Sequence, residues 1–223
     1  MMDAGSCTDL RQVWDERYRA AYSFMEERAG VARTLVEIAA QHPLQDGLRP
    51  NDEFQKRLDR GIEVFGSYRA AGYHVEIYVP GSRHAFAGKA DRISLSDAGC
   101  SYLIERGVPA ALVHGDDLNR RFKGAEGVYN SADECFVASA YFKEAGFGIL
   151  ASVPSPAQMI RKTLHYIAFG VVPLNFTAPT LGGFHDYMDE LFEKIPYVLS
   201  TDPTFQGDSA EGRRLREERM PRT

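Results

Sequence analysis

Along this chain the apolar positions switch between a period near 3.6 and short unbroken runs, and each switch marks a change of element. From residue 9 to 29, Leu10, Val13, Trp14, Tyr18, Ala21 and Met25 recur at helical spacing, with Thr8 or Asp9 as the N-cap. Residues 34–40 (TLVEIAA) are a short apolar run ahead of a loop rich in Pro, Gly and Asp at 42–50, which predicts a buried strand. Residues 51–71 carry Phe54, Leu58, Ile62 and Phe65 on one stripe and stop at Gly72, which predicts a helix. The alternation then repeats. Residues 73–79 (YHVEIYV) read as a strand ended by Pro80-Gly81, 96–106 as a helix with Ser96 as N-cap and Gly107 as stop, and 110–114 (AALVH) as a strand. Residues 118–129 read as a polar, Gly-containing loop and 130–145 as a helix closed by Gly146. A strand at 147–153, a helix at 156–169, a short strand at 171–176 and a helix at 184–192 follow.

Strands that alternate with helices at this spacing pair in parallel, because each helix carries the chain back across the sheet. The expected fold class is α/β: a Rossmann-like, doubly wound, mainly parallel five-stranded sheet with extra N- and C-terminal helices. It occupies residues 31–200. A helical extension at 1–30 precedes it, and a charged tail at 201–223 follows, in which 211–219 has the pattern of a short charged helix.

Composition narrows the function classes. Of the 223 residues 44% are hydrophobic, which is ordinary for a chain that buries a core. A net charge of −5 and no long basic run argue against nucleic acid as a partner. The longest charge-free stretch, 166–184, contains Pro173, Asn175, Pro179 and several glycines, so no spanning helix of about 20 apolar residues is expected. Asp3 and Asp9 stand where a secretory signal would be apolar. Cys7, Cys100 and Cys135 are far apart with no C-x-x-C, which argues against a disulfide framework and a Cys-rich zinc site. Cys100 and Cys135 fit buried small hydrophobes better than nucleophiles. A reducing, cytoplasmic setting is the expectation.

In an open parallel sheet, ligands bind beyond the C-terminal ends of the strands. That rule selects five loops: Gln41-His42; Gly81-Ser82-Arg83-His84; Gly115-Asp116-Asp117, continuing to Asn130-Ser131; Pro154-Ser155-Pro156; and Asn175-Phe176-Thr177. Four lead into helix N-termini, whose N–H groups face anions. Gly81 permits close backbone approach, and Ser82 and Arg83 suit an anion. His114, Asp116 and Asp117 have the chemistry of an acid–base pair or a Mg²⁺ site, but adjacent carboxylates point in different directions, and no metal site is expected. Asn130 as N-cap with Asp133 as capping acid accounts for both structurally, while the functional alternative turns Asn130, Asp133 and Glu134 toward a ligand. No G-x-G-x-x-G, Walker A, H-E-x-x-H or G-x-S-x-G occurs.

In order and spacing, residues 33–177 resemble the YdcF-like proteins, which include the SanA and ElyC types. The family's apolar strand, Gly-rich turn and Arg-bearing helix correspond to TLVEIAAQHPLQDGLRPNDEFQKRLDRGIEVF, with Arg57 at the arginine. Its Ser-Gly-Gly after the second strand corresponds to Pro80-Gly81-Ser82, and its Gly-Val-Pro to Gly107-Val108-Pro109. Its Asn-Thr-x-Glu-Asn helix start corresponds to Asn130-Ser131-Ala132-Asp133-Glu134. Its Thr-Ser-x-x-His-Met-x-Arg corresponds to Pro154-Ser155-Pro156-Ala157-Gln158-Met159-Ile160-Arg161. The chain departs at Gln41-His42, where the family has Gly-Gly, and at Gln158, where it has histidine, so acid–base chemistry by that histidine has no counterpart here. A polar helix also stands where the SanA and ElyC types carry a membrane anchor.

The resemblance implies a Rossmann-like sheet with a polar cleft, S-adenosylmethionine binding as associated with the YdcF type, and carrier-lipid roles as associated with the anchored types. The expected ligand is a nucleotide-like or adenosyl small molecule with an anionic group, S-adenosylmethionine first. Asp116, Asp133 and Glu134 are the acid–base or ribose-holding candidates. Gln41, His42, Arg57, Gly81, Ser82, Arg83, Asn130, Ser131, Ser155, Gln158 and Arg161 are the binding candidates, with the two arginines of the motifs neutralising a carboxylate or phosphate. A phosphate-ester hydrolase or transferase acting on a sugar- or lipid-linked phosphate is one alternative, and a non-catalytic regulatory module is another. The helix at 9–29 and the tail are expected to pack on this domain or on a second subunit of a homo-oligomer.

Overall fold

The computed structural model describes residues 4–41, 43–83, 85–86, 89–124, 127–179 and 184–200. In chain order the elements are α1 (Ala4–Glu26), β1 (Arg33–Ile38), α2 (Asp52–Ala70), β2 (His74–Tyr78), the short strands β3 (Ala85–Phe86) and β4 (Lys89–Ala90), and α3 (Leu95–Glu105). A 3₁₀ turn (Ala110–Leu112) leads into β5 (Val113–His114), followed by α4 (Asp116–Lys123), α5 (Ser131–Ala145), β6 (Ile149–Val153), α6 (Met159–Ala168) and β7 (Leu174–Asn175). The last helical stretch runs from α7 (Phe184–Asp189) through a π turn (Glu190–Lys194) to α8 (Ile195–Ser200).

Five strands form one parallel sheet in the order β5-β2-β1-β6-β7. β3 and β4 pair antiparallel with each other. The strands are nearly continuous apolar runs because both faces of the sheet are covered. On one face Val36, Ile38, Val75, Ile77, Ala151 and Val153 pack against Phe54, Leu58 and Val64 of α2 and Leu95, Ala98 and Leu103 of α3. On the other, Leu35, Tyr78 and Leu150 pack against Leu118 of α4, Cys135, Val137 and Phe142 of α5 and Tyr166 of α6. α1 lies outside this second layer. Its Ala21 is buried, Phe24 meets the Phe142 ring edge-on, and Arg17 donates to the Ala168 carbonyl. This is a doubly wound sheet, as the alternation predicts.

Local chemistry explains most element boundaries. Asn51 caps α2, its Oδ1 accepting from the Phe54 N–H, and Asn130 caps α5 by accepting from the Asp133 N–H. Five expectations need correction. The cap of α3 is Ser94, which accepts from the Asp97 N–H. Ser96 instead donates to the Val79 carbonyl and ties α3 to the sheet. The strand expected at 110–114 has two residues, because Pro109 leads into a 3₁₀ turn. The loop expected at 118–129 is helical as far as Lys123. The strand expected at 171–176 pairs only at Leu174 and Asn175. The terminal helix runs past residue 192 to Ser200, and the tail helix expected at 211–219 lies outside the described residues. No described helix is long and apolar enough to cross a membrane.

Candidate functional site

The strand order reverses at β1, whose neighbours are β2 and β6, so the switch point lies beyond the C-terminal ends of β1 and β6. One residue short of that edge, or close to it, the sheet carries a cross-strand row of polar side chains. His114, Tyr78, Glu37, Ser152 and Asn175 are register neighbours across all five strands. They point to the side covered by α4, α5 and α6. An unbroken polar row on a buried sheet face is costly unless every member is satisfied.

At the centre of the row the satisfaction is ionic. Glu37 and Lys162 are both fully buried, with Lys162 Nζ 2.5 Å from Glu37 Oε1 and 2.7 Å from Glu134 Oε2. The Ser152 hydroxyl donates to the other oxygen of Glu37 at 2.8 Å. Burial opposes the Lys162 ammonium, yet Glu134 and Glu37 outweigh it and hold its pKa above the usual lysine range. Burial raises the pKa of Glu134 against the pull of Lys162. The second oxygen of Glu134 accepts no hydrogen bond among the described residues.

Above this cluster, at the switch point, Arg57 is 1% exposed. Its guanidinium donates to the Ala39 and Ala40 carbonyls at the end of β1, to Gln41 Oε1 at 2.8 Å, to Gln158 Oε1 at 3.4 Å and to Glu53. The structure thus joins three expected site residues, Gln41, Arg57 and Gln158. It also gives the arginine a full set of protein acceptors except at Nε, which has none among the described residues. Gln158 serves here as an acceptor for Arg57.

Toward the β2–β5 edge the surface opens into a cavity of about 450 Å³ lined by Ser82, Asp116, Asn119, Arg120, Gly124, Gly127 and Tyr129. Ser82 and Val128 hold the two loops together. The Ser82 N–H donates to the Val128 carbonyl, and the Val128 N–H donates to Ser82 Oγ, both at 2.8 Å. Asp116 Oδ1 accepts from Asn119 Nδ2 at 3.0 Å, and Asn119 Oδ1 accepts from the buried Tyr78 hydroxyl at 2.6 Å. A Cβ on Gly127 would meet Ser82 Oγ at 2.7 Å and the Tyr129 ring at 2.9 Å, so glycine there keeps the cavity open. A second cavity, of about 810 Å³, lies beside α2 and is lined by Lys56, Arg60, Pro156, Thr177 and Tyr187 among others. Pro156 and Thr177 bring two of the five expected loops to it, but none of the individually expected binding residues lines it.

The remaining expected residues are dispersed or engaged. Asp117 turns away from Asp116 to His114 Nδ1, whose Nε2 meets Glu76 at 2.8 Å. Hydrogen bonds to Asp117 and Glu76 raise the His114 pKa to about 9. Asp133 is committed to Lys123 at 2.8 Å, to the Tyr129 N–H and to Asn130. Gly81 is buried with φ 107°, and a Cβ there would meet Leu95 at 2.9 Å, so its glycine serves packing as well as conformation. Arg83 is exposed and donates to the Asp91 carbonyl. Arg161 makes a bidentate pair with the buried Glu190, at 2.7 and 2.9 Å. Ser131 and Ser155 are buried at helix starts, Ser155 lying 3.4 Å from the Gln158 N–H. His42 lies outside the described residues. Among the described residues no three His, Cys, Asp or Glu side chains gather to hold a metal ion.

Sequence reasoning missed Glu37, Lys162, Asn119, Arg120 and Tyr129. Glu37 carried a signal, as the one charge inside the apolar run TLVEIAA, whereas Lys162 stands beside Arg161 in IRKTLHYIAF and was not singled out by its setting. The other three fell in a segment read as a loop. The fold and this geometry are the chain's own description: no family model, no curated protein and no solved structure matches it.

Proposed function

We propose that the chain binds a small nucleotide-like ligand along the C-terminal edge of its sheet, S-adenosylmethionine being the first to test. The observation that carries this reading is the 450 Å³ cavity, where a carboxylate, a hydroxyl, an amide, a cation and an aromatic ring converge beyond the ends of β2 and β5. Asp116 and Ser82 offer an acceptor and a hydroxyl for a sugar, Tyr129 offers a face for a base, and Arg120 a cation for an anionic group. The resemblance to YdcF-like proteins points to the same ligand class. The phosphate-ester alternative draws less support, because Arg57 and Arg161, its expected clamps, are paired within the protein.

A ligand that binds only the folded chain stabilises it by about 2.7 kcal/mol at a hundred times its Kd. At about 2–4 °C per kcal/mol for a chain of this size, the thermal midpoint should rise by roughly 5–10 °C. The test is a thermal scan with S-adenosylmethionine, AMP and a non-nucleotide anion such as citrate. A rise with the first two and none with citrate supports the reading. No rise with any nucleotide or adenosyl compound overturns it.

A further inference from the structure

We infer that the 450 Å³ cavity selects the sugar of its ligand, with Asp116 taking the vicinal hydroxyls of a ribose and Asn119 and Tyr78 fixing the direction in which it accepts them. The inference deepens the nucleotide reading and rests on it.

It starts from the polarity of one short chain of hydrogen bonds. An ionised carboxylate only accepts, so Asn119 must present its NH₂ to Asp116 Oδ1, as it does at 3.0 Å. The amide oxygen is then left facing Tyr78, whose hydroxyl must donate to it, at 2.6 Å. Tyr78 and Asn119 are 0% and 2% exposed, so neither can exchange this partner for water. Burial, with Glu134 and Glu37 nearby, holds the Tyr78 hydroxyl protonated well above its ordinary pKa. The chain therefore has one direction, and both bonds polarise toward Asp116.

The carboxylate at its end is not used up. Asp116 is partly exposed, and its Oδ2 lies 3.9 Å from Arg120, beyond hydrogen-bonding distance. Asp117, which could have competed for the same ligand, is turned to His114 and to the Gly115 N–H. Ser82, which lines the same cavity, accepts at Oγ from the Val128 N–H, which leaves its own proton for a ligand oxygen. An acceptor held from behind, beside an exposed tyrosine ring and in a cavity of nucleoside scale, matches a ribose diol with its base on Tyr129. A 2′-deoxyribose would supply the carboxylate with one of these two donors and forfeit the other.

The test is calorimetric titration of the full chain with AMP, dAMP and S-adenosylmethionine, repeated on Asp116→Asn and Tyr78→Phe. A hydrogen bond to a charged group corresponds to about ten- to a hundredfold in affinity. AMP should therefore bind about that much more tightly than dAMP. Asp116→Asn should weaken AMP more than dAMP and so bring the ratio between them toward one. Tyr78→Phe should reduce the AMP-to-dAMP ratio in part, an effect that loss of fold alone would not produce, since both ligands would then weaken together. Equal binding of AMP and dAMP by the unaltered chain, or an undiminished ratio in Asp116→Asn, overturns the inference and leaves the nucleotide reading standing. If only S-adenosylmethionine binds, full affinity in Asp116→Asn overturns the inference and a ten- to hundredfold loss supports it. Binding of none of the three overturns both.

Discussion

A single side chain, Lys162, carries the counter-charge for two carboxylates that the fold has taken out of water. Its removal should be far more harmful than its replacement of a methionine-sized volume suggests. Lys162→Met leaves Glu37 and Glu134 buried without their cation, and breaking a buried pair in this way costs about 3–5 kcal/mol. Urea unfolding followed by circular dichroism should show a midpoint lowered accordingly. A cost below about 1 kcal/mol, the value of a surface pair, would mean that the cluster is open to water. His114 makes the opposite kind of prediction, one read through pH. Its folded pKa is about 9 against an ordinary 6.5, so its contribution is complete below about pH 6.5 and drains away as the pH rises through 9. Burial works against the Glu76 carboxylate, but hydrogen bonds from His114, Tyr141 and His74 prevail and hold its pKa near 2 against 4.5. Its contribution is therefore present above about pH 4.5 and is lost as the pH falls through 2. The urea midpoint should thus fall between about pH 7 and pH 10, and His114→Gln should flatten that slope.

At the scale of elements, the sequence was most legible where periodicity and caps agreed. α2 and α5 lie within a residue or two of their expected ranges because Asn51 and Asn130 cap them and Gly72 and Gly146 follow them. α4 was illegible for a physical reason: eight residues give little more than two turns, and its Arg and Lys content resembles a solvated loop. Its signal was electrostatic. Asp116 and Asp117 stand in its first turn and Arg120, Arg121 and Lys123 in its last, which is the order the helix dipole favours. Missing α4 hid Asn119 and Arg120, two of the seven residues that line the cavity. The buried charges escaped for another reason: a glutamate in β1 and a lysine in α6 become one site only when the strand order reverses between β1 and β6. Conversely, Arg161 was expected to bind a ligand, but its partner Glu190 comes from 29 residues later, where no local pattern announces it. The α3 boundary gives a direct check at this scale. Ser94→Ala should cost about 1 kcal/mol as a lost N-cap. Ser96→Ala leaves the buried Val79 carbonyl without its donor and should cost about 1–3 kcal/mol. Equal costs near zero would mean that neither serine sets where the helix begins.

For the molecule as a whole, the polar row raises the question of why a doubly wound sheet keeps Glu37 where neighbouring positions are leucine and valine. Stability alone does not require it, since a buried ion pair exchanged for apolar residues of similar volume is often neutral or favourable by about 1–4 kcal/mol. A combined Glu37→Leu, Lys162→Met and Glu134→Leu variant removes every charge of the cluster at once, so no ion is left without its partner. If the charges are kept for the cleft, this variant should fold at least as stably as the parent chain, in contrast to Lys162→Met alone. It should also lose part of the thermal rise that a nucleotide produces, because α5 would lose the tie through Glu134 and Lys162 that links it to α6 and the sheet. The comparison needs only urea midpoints and ligand-dependent thermal scans of the two variants beside the parent. A triple variant as unstable as the single one would mean that the row is architectural, its members chosen because these helices cannot otherwise close over the sheet. A triple variant that is stable and still responds fully to nucleotide would separate the cluster from the cavity and leave Asp116, Asn119 and Tyr129 as the whole of the site.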